Sequence, residues 1–122
     1  MATKSEQVSK NRGGAPPPGL FVRVESGFYQ GLEWPLDRPS TVIGRGRSAD
    51  LILSEATISR AHAMIGFKGA KLFVQDLDST NGTLVNGARE HQSELSDGDE
   101  VRMGRLVLRI WSRTSKSDGE AA

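Results

Sequence analysis

The 122-residue chain contains no cysteine. Disulfides, thiolate nucleophiles and cysteine-ligated zinc are excluded at once. Histidine is nearly as scarce: His62 and His91 are the only two, so neither a histidine-rich metal site nor any cofactor is expected. A dominant charge sign is missing as well, since 16 basic and 15 acidic residues leave a formal net charge of +1. Bulk positive charge normally accompanies non-specific nucleic-acid binding, so nucleic acid is not an expected partner. Aromatic residues make up only 6% of the chain, too few to build a base-stacking platform. No run approaches the ~20 apolar residues of a membrane helix, and the opening MATKSEQVSKNRGG lacks the apolar centre of a signal peptide. The expectation from these absences is one cytoplasmic domain with no membrane partner.

The ends of the chain are polar. Residues 1–19 finish in Gly13-Gly14-Ala15-Pro16-Pro17-Pro18-Gly19, and residues 113–122 read RTSKSDGEAA. Neither can bury enough apolar surface to offset its ordering entropy, so both are expected to be disordered tails. Between them, residues 20–112 carry 11 basic and 12 acidic residues, so the slight positive charge belongs to the N-terminal tail.

Within residues 20–112 no apolar pattern holds a helical period for more than two turns, whereas period-two alternation recurs. Leu20, Val22 and Val24 share one face, as do Leu72 and Val74. Leu106, Leu108 and Ile110 alternate with Arg105 and Arg109. Further strands are expected at 32–36, 41–43, 50–53, 61–67, 83–85 and 99–103. Turn signals separate them, among them Gly44, Gly46, Gly69, Asn81-Gly82, Asn86-Gly87, Asp97-Gly98 and Gly104. Asn-Gly and Asp-Gly suit tight hairpins because both central residues of a type I′ turn need positive φ. Many short alternating strands argue for an all-β sandwich or barrel.

Enzymatic readings find little support. No serine stands in a G-x-S-x-G turn with a histidine in a matching context. Asp76/Asp78 and Asp97/Asp99 bracket turns, where acidic side chains serve local hydrogen bonding. Gly44-Arg45-Gly46-Arg47 lacks the Gly-Lys-Ser/Thr that completes a nucleotide loop. What remains is a set of phosphate-compatible residues on expected loops: Arg45, then Ser59-Arg60, then Thr80-Asn81. A phosphorylated side chain carries about −1.5 to −2 charge and three strong acceptors. It calls for a guanidinium plus hydroxyl or backbone N–H donors. Loops collect these residue types by default, so chemistry alone does not separate a site from ordinary loop composition.

The order of elements does separate them. Gly44-Arg45, Ser59-Arg60-Ala61-His62, Asp76, Ser79-Thr80-Asn81-Gly82-Thr83, Asn86-Gly87, Leu95, Asp97-Gly98-Asp99 and Gly104 occur together in one array. This array resembles the forkhead-associated (FHA) domain over about residues 20–112. The resemblance implies a β-sandwich of two twisted, mainly antiparallel sheets with about eleven short strands, and loops at one end that bind phosphothreonine peptides. Carried over by position, Arg45, Ser59 and Thr80 would contact the phosphate. Arg60, where the family often has a polar or basic residue, would join them. Asn81 would hydrogen-bond the peptide backbone, and Gly44, His62 and Gly82 would be architectural. For His62 the residue context gives the same reading: ring nitrogens that tie two loops together, not a base or a metal ligand. The implied partners are a threonine-phosphorylated protein and, upstream, a Ser/Thr kinase. The alternative is a phosphate-independent interaction scaffold with the same fold.

Overall fold

The computed structural model describes residues 18–113. The expected tails therefore lie outside the described residues, apart from Pro18, Gly19 and Arg113. Eleven strands follow one another: β1 (Leu20–Val24), β2 (Glu33–Pro35), β3 (Ser40–Gly44), β4 (Leu51–Ile52), β5 (Ala63–Lys68), β6 (Lys71–Asp76), β7 (Thr83–Val85), β8 (Ala88–Arg89), β9 (Gln92–Leu95), β10 (Glu100–Met103) and β11 (Leu106–Ser112). They form a six-stranded sheet in the order β2-β1-β11-β10-β7-β8 and a five-stranded sheet in the order β4-β3-β5-β6-β9. Only the β3–β4 pair is parallel among these ladders. This is the all-β, mainly antiparallel sandwich that the alternation and the resemblance both lead to expect.

Alternation decides which side chains enter the core. Val22 and Val24 of β1, Leu106, Leu108 and Ile110 of β11, and Val101 and Met103 of β10 project from the first sheet. Ile43, Ala63, Ile65, Leu72 and Val74 meet them from the second. Burying each of the larger ones, the Val, Leu, Ile and Met side chains, contributes about 1.5–3 kcal/mol relative to exposure. Leu53 and Ile58 add a further feature: both lie in the β4–β5 loop, yet they are 1% and 2% exposed. Those two anchors fix a long loop to the core.

Chain direction gathers the loops. The antiparallel β3–β5 and β5–β6 pairs align β3 with β6, the β1–β11 and β10–β11 pairs align β1 with β10, and the bond from Arg105 N–H to the Thr57 hydroxyl brings the ends of β3, β6 and β10 to one end of the sandwich. The β3–β4, β4–β5 and β6–β7 loops and the β10–β11 turn consequently meet there. Of the Asn-Gly and Asp-Gly pairs, only Asn86-Gly87 closes a two-residue hairpin, with φ of 50° and 87°. Asn81-Gly82 and Asp97-Gly98 instead connect strands of different sheets, and in each only the glycine has positive φ. Their role is to cross the sandwich, not to fold a strand back on its neighbour.

Candidate functional site

The site begins with a steric requirement at the end of β3. A Cβ on Gly44 would stand 2.6 Å from the Arg60 carbonyl carbon and closer still to its oxygen. The absent side chain lets the β3–β4 and β4–β5 loops lie backbone to backbone, and Arg45 N–H and Gly46 N–H donate to the Ser59 and Arg60 carbonyls at 3.1 Å each. Arg45 is exposed, but its Nε donates to the Ile58 carbonyl at 2.7 Å. Ile58 is itself seated in the core. The guanidinium is therefore held at one nitrogen, while no acceptor among the described residues takes the two terminal ones.

Ser59 follows. Its hydroxyl oxygen accepts the backbone N–H of Thr80 at 3.0 Å, which ties the β4–β5 loop to the β6–β7 loop. A hydroxyl used as acceptor keeps its own proton for donation. His62, fully buried, braces the same two loops from below. Its Nδ1 accepts the Ser59 N–H at 3.1 Å, and its Nε2 lies 2.8 Å from the Gly82 carbonyl. The first bond needs an unprotonated Nδ1, so Nε2 carries the proton and donates.

Asp76 organises the β6–β7 loop. Its carboxylate accepts the hydroxyl of Ser79, the Thr83 hydroxyl at 2.8 Å and the Ser79 N–H at 3.1 Å. Burial pushes its pKa up, but these donors outweigh that and hold the carboxyl below its ordinary value. The Ser79 hydroxyl in turn accepts the Gly82 N–H at 2.9 Å, and Gly82 completes the bend at φ of 83°, where a β-carbon is disfavoured. Exposed Thr80 and Asn81 stand at the tip. The Asn81 amide donates to the Thr57 carbonyl at 2.8 Å, leaving its oxygen available to accept.

Thr57 closes the rim. Glu55 accepts its hydroxyl at 2.7 Å and its N–H at 3.1 Å, and these bonds hold the Glu55 carboxyl below its usual value. The Thr57 hydroxyl also accepts the Arg105 N–H at 2.8 Å, joining the β10–β11 turn. Four loops are thus linked by side chains, and outward from them face guanidiniums, hydroxyls and an amide. That set can bind an oxyanion.

Residues 41–104, more than half of the chain, match the family model of the FHA domain. The chain belongs to the FHA family. The FHA chain is 35% identical over 105 residues to a glycogen accumulation regulator of Mycolicibacterium smegmatis, a match covering 86% of this chain and 66% of the relative. It thus spans about two thirds of that relative's length. Among solved structures, an FHA domain studied for phosphothreonine-dependent interactions superposes with a TM-score of 0.70 at 33% identity, covering 76% of this chain and 95% of the other. The Mycobacterium tuberculosis protein EmbR, in complex with a low-affinity phosphopeptide, superposes with a TM-score of 0.70 at 29% identity, covering 77% of this chain and 24% of the other.

In this FHA domain Arg45, Ser59, Arg60, Thr80 and Asn81 all lie on the loops of one end, above Gly44, His62 and Gly82. Arg60 projects from beneath Gly46, where its Cβ lies 2.8 Å from the place a Gly46 Cβ would occupy. Nothing in the sequence marks Arg89, whose guanidinium lies over Gly82, or the bonds by which Glu55 clamps Thr57. Arg89 stands on a two-residue strand with both residues exposed, which carries no alternation to read. Glu55 and Thr57 read as ordinary loop residues until the fold brings Arg105 and Asn81 to them.

Proposed function

We propose that this chain is a phosphothreonine-peptide binding module, acting as an adaptor or regulator downstream of a Ser/Thr protein kinase, and not an enzyme. One observation carries the reading. Arg45 is locked through Nε with both terminal nitrogens still to donate, on the loop that abuts Ser59, whose hydroxyl proton is likewise uncommitted. A phosphate dianion takes both kinds of donor. The likeness to an FHA domain of phosphothreonine-dependent interactions and to a phosphopeptide complex supports the same reading.

In the proposed arrangement Arg45, Ser59, Arg60 and Thr80 receive the phosphate, and the Asn81 amide oxygen accepts a backbone N–H of the peptide. Hydrogen bonds to a charged group contribute about 1.5–3 kcal/mol each. Three give ~4.5–9 kcal/mol, comparable to an association cost of ~4–15 kcal/mol. Flanking peptide contacts are therefore needed, and an affinity near the micromolar range, about −8 kcal/mol, is expected. The proposal places the protein in the cytoplasm; among the described residues no helix is long and apolar enough to cross a membrane.

The test is fluorescence-anisotropy titration against degenerate peptide libraries carrying phosphothreonine, phosphoserine or unmodified threonine. Binding confined to phosphorylated peptides, strongest for phosphothreonine, is the expected result. Equal binding to all three, or none to any, would overturn it in favour of a phosphate-independent scaffold.

A further inference from the structure

The ten arginines of the described residues divide by partner. Arg23 and Arg113 hold Glu33, Arg38 faces Asp50, and Arg109 holds Glu25 and Glu100. The other six, Arg45, Arg47, Arg60, Arg89, Arg102 and Arg105, make no salt bridge among the described residues, although Arg105 acts electrostatically on Glu55. All six belong to the loops of the candidate site or to the ends of β8 and β10 that lead into it. Of the carboxylates there, Asp50 accepts Val42 N–H, Glu55 accepts Thr57, and Asp76 accepts Ser79 and Thr83. Asp78 and Glu90 remain.

Arg89 is the best placed of the six. It pairs with Leu84 across the β7–β8 ladder, so its backbone is fixed by a strand instead of a loop tip. Its Cζ, Nε and Nη2 lie 2.6, 2.8 and 2.8 Å from where a Gly82 Cβ would stand. The guanidinium plane thus lies along the Asn81–Gly82 bend, immediately beside the proposed reader of the peptide backbone. No described acceptor takes its donors. A guanidinium lacking an acceptor suits a carboxylate or phosphate, which it grips with two parallel bonds.

We infer that Arg89 forms a second anion subsite beside Asn81, which takes an acidic group flanking the phosphothreonine on the same ligand. That group is the carboxylate of Asp or Glu, or a second phosphate. The inference rests on the phosphothreonine reading and adds a charge requirement to it. The missing Cβ of Gly82 is what gives the guanidinium its place.

The experiment titrates the full chain and its Arg89→Gln and Arg89→Lys variants by anisotropy in about 0.1 M salt. Four probes are used: phosphothreonine libraries with neutral flanks, with Asp/Glu flanks and with a second phosphothreonine, and a single-stranded DNA oligonucleotide. The native chain should prefer an acidic or doubly phosphorylated library over the neutral one by about fivefold, the upper range of an exposed ion pair. Whichever of the two binds more tightly identifies the source of the charge. Arg89→Gln should remove most of that preference while circular dichroism stays unchanged, and Arg89→Lys should keep part of it. Equal affinity for neutral and acidic libraries in the native chain would overturn the subsite alone. A uniform loss across all libraries in Arg89→Gln would overturn it too, as would DNA binding as tight as that of the acidic library. Failure of every phosphothreonine library to bind would overturn the phosphothreonine reading and this inference with it.

Discussion

Gly44 lies so near the Arg60 carbonyl that a methyl group in place of its hydrogen would overlap the carbonyl carbon and oxygen. Neither partner can move cheaply: Gly44 ends a strand paired on both sides, and the Arg60 oxygen accepts Gly46 N–H. Overpacking of this kind costs about 1–3 kcal/mol, and a backbone clash belongs at the upper end. Gly44→Ala should therefore lower Tm by roughly 8 °C or more, at ~4–8 °C per kcal/mol for a domain of this size. A thermal melt within ~2 °C of the native chain would show that the two loops can part without cost.

His62 bridges the two loops that carry Ser59 and Thr80, through Ser59 N–H and the Gly82 carbonyl. Its replacement by phenylalanine keeps most of the volume but leaves that carbonyl buried without a partner and Ser59 N–H with none. Each unsatisfied group costs about 1–3 kcal/mol. His62→Phe should lose about 2–4 kcal/mol in urea denaturation with an unchanged m-value. Phosphopeptide affinity should fall as well, because Ser59 loses its brace. Undiminished stability would mean that water replaces both bonds.

How much of this was legible in advance differs by element. Nine strands were legible, three of them (β1, β6 and β11) by clear alternation, because one face of each packs on the core. The missing pair, β8 and β9, are edge strands: Ala88–Arg89 is exposed throughout, and Gln92–Leu95 buries only Leu95. With one buried residue or none, neither strand has the alternation that reveals a strand. The glycines had different reasons that no sequence pattern distinguishes. Gly82 needs its positive φ, whereas Gly44 needs only the space. The array of motifs located the loops that carry Arg45, Ser59 and Thr80. It could not show that Arg45 is anchored at Nε or that Arg89 lies over Gly82, since both depend on side-chain placement across strands remote in the chain.

Asp76 should make the domain sensitive to acid. Its carboxyl is held below the ordinary value against the contrary effect of burial, by donors from Ser79 and Thr83. A carboxylate with a depressed folded-state pKa contributes stability that is fully present above its unfolded value of about 4. That contribution is lost as pH falls through the folded value. Asp76→Asn keeps an oxygen for the two hydroxyls but turns an N–H₂ toward the Ser79 N–H. It should be less stable at neutral pH by about 1–3 kcal/mol, with a shallower loss between about pH 5 and pH 2. Parallel pH–stability curves for the two proteins would place the acid sensitivity elsewhere.

Arg45 and Ser59 should act on one phosphate and so be coupled. Arg45→Ala removes the paired donors and should weaken phosphothreonine-peptide binding by at least about 2 kcal/mol, near thirtyfold. Arg45→Lys should recover little, because a single ammonium cannot both hold the Ile58 carbonyl and present two parallel donors. Ser59→Ala removes the hydroxyl proton and also the acceptor of Thr80 N–H, at about 1–3 kcal/mol. Since either loss lets the phosphate shift away from the other residue, the double variant should be weakened by less than the sum of the two. Anisotropy titration of all four proteins, with circular dichroism to verify folding, gives the cycle directly. Strict additivity, or a folded Arg45→Ala protein with native affinity, would show that these two side chains do not share a phosphate.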